Sequence, residues 1–152
     1  LAYLASLPFA HDVVFGGQQI RLLHASPQSV YEHVFPYAPE ERLLRMFDNT
    51  ELTGEGPRPD VVIFGDTHVP LWLPIGSRLL LNVGSVGYPL DSQTSASYAI
   101  IEGHAAPFPG PLAYTLVRVP YDVERAIQDA RVSRLPDWEV YAADLRSGRF
   151  TR

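Results

Sequence analysis

Three short apolar runs dominate the hydrophobic pattern: Ile20–Leu23, Val61–Phe64 and Leu79–Leu81, each giving way to a polar or Gly-containing turn. A compact run rich in Val, Ile or Leu reads as an interior strand, and the carboxyl ends of such strands are where open α/β sheets place ligands. Around them the pattern predicts a helix end at Leu1–Leu7 before Pro8, then a hairpin of Asp12–Phe15 with Gln19–His24 through Gly16-Gly17, a dipeptide that tolerates positive φ. Tyr31–Tyr37 is aromatic and broken by Pro, which predicts an ordered loop. Pro39 suits the first turn of a helix in which Leu43, Met46 and Phe47 share a face, and which ends before Gly54. Asp60–Phe64 is the central strand, Pro70–Pro74 and Arg78–Val83 form a second hairpin, and Ser95–Glu102 and Leu112–Val119 are the last strands, joined by the turn Gly103–Pro111. Asp122 caps a helix with Val123, Ala126, Ile127 and Ala130 at helical spacing. Trp138, Tyr141, Ala142 and Leu145 repeat that spacing before Gly148.

Composition narrows the class without naming a chemistry. At 152 residues, 46% hydrophobic and 19% charged, the chain is long enough for one globular domain with a core. The formal net charge of −5, with 12 basic residues that are all Arg and scattered, argues against a general nucleic-acid surface. The absence of Cys excludes a disulfide framework and thiolate metal sites. With no apolar stretch of membrane length, the expectation is a cytoplasmic protein with no membrane partner.

The chemistry is concentrated in Gly65-Asp66-Thr67-His68, where an apolar run empties into a turn presenting a carboxylate and an imidazole two residues apart. Both groups ligate divalent cations such as Mn, Fe or Zn, and a Gly-led loop lets both heads converge on one site. His24-Ala25-Ser26-Pro27 and Asn82-Val83-Gly84-Ser85-Val86-Gly87 follow the other two runs. In order and spacing the three segments resemble the calcineurin-like metallophosphoesterase superfamily, especially its small bacterial phosphodiesterase branch, whose later motifs read roughly H-G-S-P, G-H-T-H-x-P and N-P-G-S-x-G. The resemblance covers Leu4 to about Val132.

That resemblance implies an α/β fold, part of a four-layer αββα sandwich, here mainly one mixed sheet with flanking helices. It implies two divalent metal ions, Mn first with Fe, Zn and Mg as alternatives, and a phosphoesterase, specifically a phosphodiesterase, in which a metal-bridging hydroxide attacks a small phosphate ester. His24 matches a ligand of the second metal and His68 a ligand of the first, and the two are expected to meet around the shared pair of cations. Asp66 stands where the family has a His ligand. An oxygen donor there adds negative charge and shifts preference toward harder ions. Asn82, Gly84 and Ser85 match the substrate-side loop, whose small residues would let backbone N–H groups approach an anion. Leu90 stands where the family often has Arg, which removes a positive group for phosphate.

The family's earlier motifs, D-x-H, G-D and G-N-H-[DE], are not in these residues, and the only Met is Met46. The expectation is therefore the carboxyl-terminal part of a single metallophosphoesterase domain, residues 1–152, that does not turn over alone; no catalytic acid is assigned within it. One sheet face would be left bare, and about 600 Å² of open apolar surface forgoes on the order of 15 kcal/mol. The rival reading is a non-catalytic scaffold or regulatory module on the same fold, like the retromer scaffold subunit of this superfamily. His11, His33 and His104 lack motif context and read as loop or surface residues. Tyr31, Phe35 and Tyr37 either wall a substrate entrance or fill space under their loop.

Overall fold

The computed structural model describes residues 2–104, 108 and 110–151. In chain order the elements are α1 (Ala2–Ala5), β1 (Ala10–Phe15), β2 (Gln18–Leu23), α2 (Glu40–Leu44), β3 (Val61–Phe64), β4 (Leu71–Ile75), β5 (Arg78–Asn82), β6 (Ala96–Glu102), β7 (Ala113–Val119), α3 (Val123–Val132) and α4 (Trp138–Ser147). Five strands form a mixed sheet in the order β1-β2-β3-β5-β4, and β6 and β7 form a separate antiparallel pair. The first hairpin turns through Gly16 and Gly17 at φ 55° and 71°, the mirror-image turn that suits the twist of its strands. Part of the Gly103–Pro111 turn lies outside the described residues.

At the centre, β2, β3 and β5 run parallel, with Leu22 beside Ile63 and Phe64 beside Asn82. Their carboxyl ends therefore meet at one rim, and the three polar turns read from the sequence follow from that rim. β3 is buried along its whole length, so its alternating side chains serve two cores. Val62 and Phe64 join Leu80, Val34, Leu43, Met46 and Phe47 on one face. Val61 and Ile63 join Ile20 and Leu81 on the other, under Ala99 and Ile101 of β6 and Tyr114 of β7.

The central sheet is thus covered on both faces, which differs from the expected bare face. Exposed apolar side chains occur on both sheets: Val14, Leu22 and Trp72 on the five-stranded one, and Tyr98, Ile100, Leu116 and Val119 on the strand pair β6–β7. Tyr98 and Ile100 alternate with the inward Ala99 and Ile101, and Val119 pairs with Ala96 on the same outer side.

The helix after Pro39 ends before Gly54, as its pattern predicts: α2 passes into a single 3₁₀ turn, Arg45–Phe47, which carries Met46 and Phe47 and stops at Asp48. Just past it the chain meets Arg21, 1% exposed in β2. Its guanidinium takes the Asp48 carbonyl at 2.9 Å and Asn49 Oδ1 at 3.0 Å while gripping Asp12 through Nε and Nη2. A buried cation must have its donors satisfied, and Asp12, Asp48 and Asn49 satisfy them. Arg21 is thereby fully employed in the fold.

α3 and α4 pack together around Ile127, Ala142 and Leu145, with Tyr88 against them. Asp122 Oδ1 accepts from Arg125 N at 2.9 Å, and Gly148 closes α4 at φ 62°. Among the described residues no helix is long and apolar enough to cross a membrane.

Candidate metal and phosphate site

The rim is assembled by main-chain hydrogen bonds before any side chain contributes. Gly65 N donates to the His24 carbonyl at 3.0 Å, and Val83 N donates to the Phe64 carbonyl at 3.0 Å, so the parallel pairing extends one step past each strand end. This puts the first residue after β2 against the turn after β3. Within that turn Asp66 and His68 both have left-handed backbones, φ 66° and 60°. Asp and His are among the side chains that enter this region more readily than most, but each such residue still costs of order 1–3 kcal/mol and persists only where its surroundings enforce it.

The enforcing group is Asn82, at 1% exposure. Its Nδ2 donates to the Gly65 carbonyl and, at 3.1 Å, to Thr67 Oγ1, while its Oδ1 accepts from Gly84 N at 2.8 Å. One buried amide therefore ties the turn after β3 to the turn after β5. We expect Asn82→Ala in the full-length protein to cost about 1–3 kcal/mol, the range for leaving buried polar groups unpaired. Urea unfolding checks this, and a loss below about 0.5 kcal/mol, the level of an ordinary surface change, would count against the brace.

This wiring also bears on the anion loop. The N–H groups of Gly84 and Ser85 are spent inside the protein, on Asn82 Oδ1 and, at 3.1 Å, on Ser97 Oγ. Ser85 Oγ accepts from Tyr88 N at 3.0 Å. A Cβ at Gly84 would collide with Ser97 Oγ and lie 2.7 Å from Pro70 Cγ, so Gly is required there by close packing at positive φ. Asn82 and Gly84 thus shape the rim from within. Arg118 of β7 is committed to the Asp91 carboxylate and the Ser95 carbonyl.

Of the sequence-predicted ligands, the structure brings His24 and Asp66 together. His24 Nε2 lies 3.6 Å from Asp66 Oδ1, with the carboxylate side chain 8% exposed and the imidazole 61% exposed. That separation is too long for a hydrogen bond. It suits two donors that share one ion, which at bond lengths of about 2.0–2.2 Å sit roughly 3–3.5 Å apart. The other oxygen, Oδ2, is held by His33 Nδ1 at 2.7 Å. His33 is an exposed loop residue, as its lack of motif context implies, yet it reaches Asp66 from 33 positions earlier in the chain, a contact that no spacing rule foretells.

His68 has a different set of partners. Its Nδ1 lies 2.7 Å from the Tyr88 carbonyl, an acceptor, so Nδ1 carries the hydrogen and the uncharged ring keeps its lone pair on Nε2. A ring so oriented is the usual form of an imidazole ligand. The Tyr88 ring meets His68 edge-on at 5.4 Å, and the Tyr88 hydroxyl donates to the wholly buried Asp144 of α4. The described residues contain no group of three or more His, Asp or Glu arranged to hold a metal ion among themselves. They contain instead a His24–Asp66 pair and a pre-oriented His68. His11 and His104 are exposed. In the aromatic loop, Val34 fills the space beneath at 1% exposure, whereas Tyr31 and Tyr37 stand 85% and 80% exposed.

Residues 3–105 match the family model for the calcineurin-like phosphoesterase superfamily domain. An uncharacterized protein of Methanocaldococcus jannaschii is 26% identical over 155 residues, covering 91% of this chain and 56% of that protein. Among solved structures, a hypothetical protein from Pyrococcus horikoshii superposes with a TM-score of 0.69 at 18% identity, covering 97% of this chain and 53% of that one. A metallophosphoesterase from Sphaerobacter thermophilus gives 0.68 at 22% identity, covering 97% and 60%. The mixed sheet with its flanking helices is the fold of these neighbours, and the chain spans little more than half the length of the relatives it matches.

Proposed function

Because the chain belongs to the calcineurin-like phosphoesterase superfamily, we propose that it is part of a metal-dependent phosphodiesterase acting on a small phosphate ester. His24, Asp66 and His68 hold divalent ions, Mn first. The observation that carries this reading is the 3.6 Å approach of His24 Nε2 to Asp66 Oδ1 at the rim of three parallel strands. The donor set is the right chemistry: two imidazoles and a carboxylate suit Mn, Fe or Zn, and the oxygen donor favours the harder ions.

Divalent ions, when bound, supply Lewis acidity toward water and phosphoryl oxygens. The residues of this chain do the positioning. Asn82 holds the turn that presents Asp66 and His68, Tyr88 sets the His68 tautomer through its carbonyl, and His24 projects from the end of β2 across the buried carboxylate. With Gly84 N and Ser85 N turned inward and Arg118 paired, the chain contributes little fixed positive charge of its own to a phosphate. That places the burden of charge neutralisation on the ions.

The inward-turned N–H groups also favour a second reading, a non-catalytic scaffold on the same fold. The test is hydrolysis of bis(p-nitrophenyl) phosphate by the full-length protein, with and without Mn²⁺. Hydrolysis that appears with Mn²⁺ and disappears with EDTA is the expected result; Mn²⁺ uptake without hydrolysis would favour the scaffold.

A further inference from the structure

We propose that His33 is the positioning residue for Asp66, fixing one carboxylate oxygen so that the other faces His24; this rests on the reading of Asp66 as an ion ligand. The carboxyl torsion of an Asp side chain is soft, and left alone Asp66 could present either oxygen, or neither, toward the rim. An ionised carboxylate only accepts hydrogen bonds, so His33 Nδ1–H donates to Oδ2 at 2.7 Å. Oδ1 is then the oxygen left to face His24 Nε2 at 3.6 Å. The carboxylate is the buried member, at 8% side-chain exposure, and both imidazoles stand over it at 61% and 62%. A buried charge needs such a partner.

The loop that delivers His33 is anchored independently of this contact. Ser26, wholly buried directly after the β2 end, donates to Glu32 Oε2 at 2.7 Å and accepts from Gln28 N and Ser29 N, both at 3.1 Å. Arg42 of α2 bonds Glu32 Oε1 at 3.1 Å and the His33 carbonyl at 3.0 Å, and the next residue, Val34, is buried in the core. Backbone and flanking side chains therefore hold the segment, while the His33 ring is free to serve Asp66. Removing that ring should loosen the carboxylate without unfolding the loop.

The test is a calorimetric titration of the metal-free full-length protein with Mn²⁺ alone, comparing wild type with His33→Ala, His33→Asn and Asp66→Ala. Loss of the group that orients a ligand typically weakens metal affinity 10–100-fold. We expect His33→Ala to weaken, by about that factor, the same binding step that Asp66→Ala removes, in a protein that still unfolds in one cooperative transition. Asn can donate from nearly the place of Nδ1, and His33→Asn should recover affinity to within about threefold of wild type. Equal titrations of wild type and His33→Ala would overturn the positioning role alone, as would an Asn variant as weak as the Ala variant. A wild-type protein that takes up no Mn²⁺ would overturn this role and the reading of Asp66 together.

Discussion

Replacing His68 by Ala in the full-length protein is expected to lower Mn²⁺-dependent hydrolysis of bis(p-nitrophenyl) phosphate by at least about 100-fold. The bound comes from comparison: loss of a group that merely orients a ligand costs 10–100-fold, and loss of the ligand itself should cost no less. The structure supplies the reason to single out this imidazole. Its Nδ1–H is used on the Tyr88 carbonyl at 2.7 Å, the Tyr88 ring stands nearly perpendicular to it, and Tyr88 is in turn tied to buried Asp144. Calorimetry with Mn²⁺ should show the matching loss of affinity, while thermal unfolding stays close to wild type. Activity above about a tenth of wild type would reduce His68 to a turn residue, since even an orienting group is worth that much.

Phe47→Ala is the expected largest loss of stability, about 3–5 kcal/mol against a typical total of roughly 5–15 kcal/mol. Phe47 is fully buried in the 3₁₀ turn after α2 and packs with Val62 and Phe64 of β3 and Leu80 of β5, and the Arg78 guanidinium lies 5.2 Å from its ring centre. Truncation opens a cavity beneath the strand that delivers Asp66 and His68. Urea unfolding measures the loss. A change under about 1 kcal/mol would mean that this face is not close-packed, contrary to the burial of its members.

How much of this was legible beforehand differs by element. The two hairpins, the strand Val61–Phe64 and the capped helices after Asp122 and Pro136 follow from periodicity, turn residues and caps, and all are present. The helix after Pro39 likewise ends before Gly54, but only the fold shows that Arg21, distant in sequence, takes the Asp48 carbonyl just past it. The site divides in the same way. His24, Asp66 and His68 stand out because each follows a strand end, a local property. Asn82 reads in the sequence as a group for the substrate, yet in space its amide is consumed by Gly65, Thr67 and Gly84. His33 has no motif context at all, and only the path of the Tyr31–Tyr37 loop over the rim sets it against Asp66.

The amino-acid sequence by itself therefore determined the strands, their polar ends and the family, because hydrophobic alternation, turn chemistry and motif order act over a few residues. Tertiary structure alone decided which polar atoms remain available at the rim. A buried amide or guanidinium must find partners wherever the fold brings them, and several of those partners lie 15 to 28 residues away along the chain.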